Sequence, residues 1–169
     1  MENLMQSFPR LVLVGFAAIA LAAPVAGQRS DDQINPKSVA LMHQGQALMA
    51  AGKLEDAENA LETALAIDPR NRWAYTDIAR VAEKQHLFGK AVRMTDKALL
   101  IEPNDPDAIA VQGEAMVEMG ATARAQENLQ KLQQICGTKS CPQVAQLSAA
   151  INHGPTVASA KTPDSPAKD

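Results

Sequence analysis

Cys136 and Cys141 enclose the stretch "GTKS" and are the only two cysteines in the chain. Two thiols this close could form a disulfide, exchange disulfides with another protein, or hold a metal. Metal binding would need further ligands, and His43, His86 and His153 lie far apart with no ligand spacing. A thiol-exchange pair usually has two intervening residues, and here there are four. Glu114 and Glu118 stand one helical turn apart and could share a face. Paired carboxylates can do acid–base chemistry, but on an exposed helix they are normally just solvated. There is no glycine-rich phosphate loop, no nucleophile elbow and no His-Glu metal motif. The residues therefore offer no catalytic site. They imply no cofactor, no metal and no small-molecule substrate.

Composition narrows the partner as well. The formal net charge is -3, with acids and bases interspersed. A nucleic-acid backbone would call for a basic face. Arg72, Arg80, Lys84, Lys90, Arg93 and Lys97 do concentrate mid-chain, but Asp77, Glu83, Asp96 and Glu102 are mixed among them. That segment reads as a solvated helical surface. Aromatics make up only 3% of the chain. A core with few rings and many alanines requires helices that approach closely.

The elements that carry these residues announce themselves by repetition. Residues 64–71 read "ALAIDPRN", and 34 positions later residues 98–105 read "ALLIEPND". Around this phrase the chain divides into units 38–71, 72–105 and 106–137. Each holds an apolar-periodic run, a break and a second run. In the first unit Leu41, Leu48 and Met49 form one stripe. Leu54, Ala57, Ala60, Leu61, Ala64, Leu65 and Ile67 form the other. Spacings of three and four are helical. Asp68-Pro69 then ends the helix, because proline lacks the amide hydrogen and pushes its predecessor out of helical geometry.

With this register the chain resembles a tetratricopeptide repeat protein, built of 34-residue helix-turn-helix hairpins. Small residues fall where paired helices cross: Gly45, Ala79 and Gly113 on first helices, and Ala57, Ala91 and Ala125 on second helices. Ala64 and Ala98 fill a further small position, which is Leu132 in the third unit. Leu41, Tyr75 and Ile109 supply the large apolar position of the first helices. The terminating proline is Pro69 and Pro103, with Gly137 in the third unit. Leu48, Ala82 and Met116 stand where a tyrosine is common, and Thr95 stands where a bulky residue is usual. The resemblance implies an all-α fold: a right-handed superhelical stack of three hairpins. An end hairpin needs a lid. "PQVAQLSAAI" at residues 142–151, with Val144, Leu147 and Ile151 on one face, reads as a capping helix within residues 138–153.

The resemblance also implies where a partner would lie. First helices line a concave groove and second helices form the outer surface. The groove face would then comprise Val39, Met42, His43, Gln46 and Met49; Trp73, Thr76, Asp77, Arg80, Glu83 and Lys84; and Asp107, Ala110, Glu114, Val117 and Glu118. Met42 and Met49 would give adaptable apolar contact, Trp73 an anchor, and Arg80 a carboxylate partner. Each has a plainer reading. Met49 belongs equally to a core, Trp73 to the packing between hairpins, and Arg80 to an intrahelical pair with Asp77 or Glu83. The Asn and Lys/Arg cluster with which some related domains grip a C-terminal carboxylate is missing.

The ends of the chain bear on location. Residues 1–27 have Arg10, an apolar run from Leu11 to Ala23, Pro24 and then small residues, the pattern of a secretory signal peptide. The run is short for a membrane span, which takes about 20 apolar residues. An uncleaved inner-membrane anchor is the alternative. Residues 28–37 read as a linker, and residues 154–169 as a disordered tail with almost no bulky apolar residue. The expected location is the periplasm. In such a compartment Cys136 and Cys141 read as a structural disulfide, with free thiols or a thiol-exchange site as alternatives. The sequence thus points to a non-catalytic module that binds another protein or peptide. Self-association within an envelope assembly, such as a secretion or pilus apparatus, is the second reading.

Overall fold

The computed structural model describes residues 34–137 and 141–156. The leader, most of the linker and the tail beyond Thr156 lie outside the described residues. Among the described residues seven helices follow one another and no strand occurs: α1 (Pro36–Ala50), α2 (Leu54–Ile67), α3 (Arg72–Lys84), α4 (Phe88–Ile101), α5 (Pro106–Glu118), α6 (Thr122–Cys136) and α7 (Pro142–His153). They pair as hairpins α1/α2, α3/α4 and α5/α6, with α7 against α5 and α6. First helices also touch along the stack, α1 to α3 and α3 to α5. None of the described helices is long and apolar enough to cross a membrane.

The small residues set the spacing. Ala57, Ala79, Ala91 and Ala125 are fully buried. A Cβ on Gly45 would lie 2.6 Å from Leu61 Cγ, and one on Gly113 would lie 2.6 Å from Leu147 Cδ1. Both distances are far inside van der Waals contact, so these glycines let a leucine of a neighbouring helix sit directly on the backbone. One core, around Leu61, Ile78 and Val81, joins the first two hairpins. Another, around Ile109, Leu132 and Leu147, seals the third hairpin beneath α7. Leu132 takes a position held by alanine in the other units, and its bulk packs in that cap core.

The repeated phrase has a physical reason. It joins consecutive hairpins through polar side chains spaced 33 residues apart. The Asn71 side chain caps α3 by accepting from the Ala74 amide, and its Nδ2 donates to Ser38 Oγ at 2.9 Å. Ser38 Oγ in turn donates to the Ala64 carbonyl at 2.8 Å. One unit later Asp105 caps α5 by accepting from the Asp107 and Ala108 amides, and it pairs with Arg72. So a residue in the first turn of each first helix, Ser38 of α1 and Arg72 of α3, holds the cap of the next. Asp68 works similarly: the Arg70 side chain and the Asn35 amide both donate to it. Those donors hold its carboxyl well below the usual carboxylate range.

Two boundaries differ from the sequence reading. The linker ends earlier than residue 37, because α1 starts at Pro36. Proline suits the first turn, Asn35 accepts from the Lys37 amide, and Ile34 is buried. At the other end, residues 154–156 are not free of the domain. The Thr156 amide and hydroxyl donate to Glu118 Oε2 at 2.9 and 2.8 Å. Cys136 and Cys141 are joined by a disulfide, with Cα atoms 5.9 Å apart, which ties the end of α6 to the start of α7.

Candidate functional site

The face shared by α1, α3, α5 and α7 carries a continuous polar ladder. His43 Nδ1 is hydrogen-bonded to Gln46 Oε1 at 3.1 Å on α1. Gln46 Nε2 donates to Asp77 Oδ2 on α3 at 2.7 Å. Arg80 Nη1 donates to Asp77 Oδ1 at 3.0 Å, and Arg80 Nη2 reaches Asp107 Oδ1 on α5 at 3.3 Å. Gln143 Nε2, from α7, donates to the same Asp107 oxygen at 3.0 Å. All four helices are thus cross-linked by side chains. Asp77 is buried, which raises its pKa, while Gln46 and Arg80 act in the opposite sense.

Beside the ladder lies a pocket of about 440 Å³. Its walls are Glu83 and Lys84 of α3, His86 and Phe88 of the following turn and helix, Glu114 and Glu118 of α5, and Ala150, His153, Gly154 and Thr156 from the cap. Three glutamates therefore converge from two helices. Burial, and next the negative charge of Glu114, push the Glu83 carboxyl up to about 8. Burial also raises Glu114. The plain reading of Glu114 and Glu118 as solvated surface carboxylates does not hold, because Glu83 faces them across the pocket.

The other residues expected to form a groove divide cleanly. His43, Gln46, Asp77, Arg80 and Asp107 lie in the ladder, and Glu83, Lys84, Glu114 and Glu118 line the pocket. Met42, expected at the groove, is instead in the first core at 5% exposure, with Val39, Met49 and Trp73 packed against it. Val117 and Ala110 are buried in the cap core. Thr76 is buried, and its hydroxyl donates back to the Arg72 carbonyl. The reason is common to all of them. A stripe derived from one hairpin leaves out the contact between successive first helices, and that contact covers these side chains. Trp73 has the Arg72 guanidinium 4.3 Å over its ring.

The convergence of Glu83 with Glu114 had a sequence signal. Gln46 and Asp77 are 31 residues apart and bond directly, and Glu83 and Glu114 have the same separation. That interval, one repeat less about one turn, brings residues of successive first helices face to face.

His86 adds a local oddity to the pocket. Its φ is 60°, whereas Gly52 and Gly120 hold the equivalent turns of the other hairpins at 75°. Left-handed backbone costs a side-chain-bearing residue about 1 kcal/mol relative to glycine. The His86 ring packs edge-on against Phe88, with centroids 5.8 Å apart. His86→Gly should therefore raise stability by about 0.5–1 kcal/mol, read as a higher urea midpoint with an unchanged slope. A lower midpoint would mean that the ring contact outweighs the backbone strain.

Residues 48–115 match the tetratricopeptide repeat family model. Solved structures agree over a larger part of the chain. The TPR domain of Sgt2 from Aspergillus fumigatus superposes with a TM-score of 0.63 at 23% identity, covering 80% of this chain and 91% of that one. The fold is a tetratricopeptide repeat fold. The TPR2B domain of yeast Sti1, solved as an Hsp70 peptide complex, gives 0.64 at 19% identity over 70% of this chain and 98% of that one. The first TPR domain of Spaghetti (RPAP3), bound to the HSP90 peptide SRMEEVD, gives 0.60 at 17% identity over 69% and 94%. A search of curated protein sequences finds no match. In tetratricopeptide terms the ladder and the pocket both lie on the first-helix face, and α7 stands where the first helix of a fourth repeat would begin.

Proposed function

We propose that this protein is a non-catalytic interaction module of the bacterial cell envelope, which holds an extended peptide or a helix of another protein against its first-helix face. The observation that carries the reading is that face itself. It is spanned by four helices, rigidified by a side-chain ladder, and opens into a pocket. Structural neighbours of the same fold are solved with HSP90 and Hsp70 peptides. The leader-like residues 1–27 support export to the periplasm, with or without retention as an inner-membrane anchor.

The charge of the face selects the class of partner. Asp77, Asp107, Glu114 and Glu118 outnumber Arg80 and Lys84 there, even with Glu83, raised to about 8, left out of the count. An acidic tail such as SRMEEVD would meet repulsion, so the bound segment is neutral or cationic along this stretch.

The test is photo-crosslinking in intact source cells, with the crosslinker at the exposed, pocket-lining Lys84 and a control at Lys97. Lys97 belongs to α4 and lies over the Tyr75 ring, 5.6 Å from its centroid. We expect a discrete protein to be captured at Lys84 at about tenfold the control yield, falling as salt rises. Equal capture at both positions would end the groove reading. Capture of only this chain's own copies would move the function to self-assembly.

A further inference from the structure

The bridge between α6 and α7 is built with a direction. Cys136 is the last residue of α6, and Cys141 is the N-cap of α7. A thiolate at Cys136 would face the carbonyl end of a helix, which opposes negative charge. One at Cys141 would face an amide end, which favours it, and no side chain caps α7. The bridge is also within reach from outside. Both cysteines are only partly buried. They line a surface cleft of about 310 Å³, with Gln133, Val144 and Ser148 among its other walls, and no carboxylate lines it to repel an anion. We propose that Cys136–Cys141 is a thiol-exchange site, attacked at Cys136 by an external thiolate with Cys141 as the leaving group.

The external thiolate bonds to Cys136 Sγ, the bond between the two cysteines breaks, and Cys141 Sγ departs with the electron pair at the start of α7. A less basic thiol leaves faster, so the two helix ends choose the sulfur that is attacked. A monothiol stops at a mixed disulfide on Cys136. A dithiol goes further. Its second thiolate attacks its own first sulfur, Cys136 leaves in turn, and two electrons have passed from the dithiol to the protein. The protons lost by the reagent balance those taken up by the two cysteines. The pair is the target of this exchange and not a catalyst of it. The consequence for a partner rests on the function proposed above. Gln143 Oε1 lies 3.4 Å from Cys141 Sγ, and Gln143 Nε2 ends the polar ladder on Asp107. The far end of α7 supplies Ala150 and His153 to the pocket wall. Opening the bridge therefore loosens both ends of the cap's contribution to the binding face.

The test uses the full-length wild-type protein, without denaturant or partner. The protein is exposed briefly to reduced glutathione, quenched with acid, blocked with N-ethylmaleimide and mapped by mass spectrometry. We expect glutathione on Cys136 with a blocked Cys141, at about threefold or more the yield of the reverse arrangement. After full reduction by dithiothreitol, limiting iodoacetamide at neutral pH should label Cys141 faster than Cys136 by a similar factor. In the reduced protein the amides of α7 should exchange about tenfold faster, while α3 and α4 keep their rates. The proposal is overturned if glutathione divides evenly between the two cysteines or favours Cys141. It is equally overturned if reduction needs denaturant, or if α7 keeps its exchange rate once the bridge is open. Partner capture in cells is a separate readout. Failure of the exchange chemistry leaves the binding face intact, and failure to capture a partner leaves the exchange site intact.

Discussion

Glu83→Gln should stabilise the protein at pH 9 and leave it unchanged at pH 4. The Glu83 carboxyl is raised from 4.5 to about 8, first by burial and then by Glu114. Its surroundings are Glu114 and Glu118 on α5, Arg80 and Lys84 on its own helix, and His86 and His153 at the pocket wall. In the unfolded chain the group ionises near its ordinary value. Below that pH both states are protonated, and the group contributes nothing to pH dependence. Between the two values the folded state binds a proton that the unfolded state has lost, so stability falls as pH rises. Above about 8 both states are ionised, and the cost of a half-buried anion is complete.

Glutamine has the shape of the neutral acid and does not titrate. A tenfold change in an ionisation equilibrium corresponds to about 1.4 kcal/mol. Water at the open mouth of the pocket lowers the effect well below the full displacement, to about 2 kcal/mol. That is a rise in Tm of about 8 °C for a domain of this size. The measurement is a pair of thermal melts at each of several pH values, and the quantity of interest is the difference between variant and wild type. A difference that is equal at pH 4 and pH 9 would deny the displaced carboxyl. A variant less stable at pH 9 would mean that the Glu83 anion is held by Arg80 and Lys84 more strongly than burial opposes it.

This carboxyl also marks how far the sequence alone could be followed. The hairpins were legible because each obeys a local rule. Apolar residues recur at three and four, Asp68-Pro69 and Glu102-Pro103 stop a helix, and the register of 34 places Gly45, Ala57 and Ala91 at close crossings. The disulfide was expected from two closely spaced cysteines behind a leader-like N-terminus, and Cys136 and Cys141 are joined. The face between hairpins was less legible. Met42, Thr76 and Val117 were placed on it by the geometry of a single hairpin. They are covered because successive first helices pack on one another, a contact that periodicity within one helix does not contain. Asp77 lies on the first-helix face but is buried, satisfied by Gln46 of the preceding unit and Arg80 of its own. The signal for such pairs is a separation near 31, not 34, and it is visible only once the stack is assumed. The start of α1 at Pro36 was missed because Asn35 takes its stabilising partner from Asp68, in the turn that follows the next helix.

The cap is the element whose loss should be most local and most consequential. Leu147→Ala should undock α7 while leaving α1 to α4 intact. Leu147 is fully buried, and its Cδ1 would lie 2.6 Å from a Cβ placed on Gly113, so it rests on bare α5 backbone. Truncating such a leucine costs about 2–5 kcal/mol. α7 touches only α5 and α6, so the loss falls on the C-terminal end of the stack and not on its whole length. The disulfide keeps the start of α7 beside α6, but closing so short a loop is worth only about 2 kcal/mol and does not replace the packing. Hydrogen exchange is the measurement. Amides of α7 should exchange at least about 30-fold faster, the equivalent of the lower bound on the cost, while α3 and α4 keep their rates. Uniform acceleration in every helix would show that the hairpins and cap open as one unit. No acceleration would show that α7 is held by Val144, Ile151 and Gln143 without Leu147. The functional consequence follows from the same geometry. Ala150, His153 and Gly154 form the far wall of the pocket, and Gln143 ends the polar ladder on Asp107. A protein that keeps three hairpins but loses α7 would keep a binding face without its closed end, so partner capture at Lys84 should weaken even though the crosslinker's own helix is unchanged.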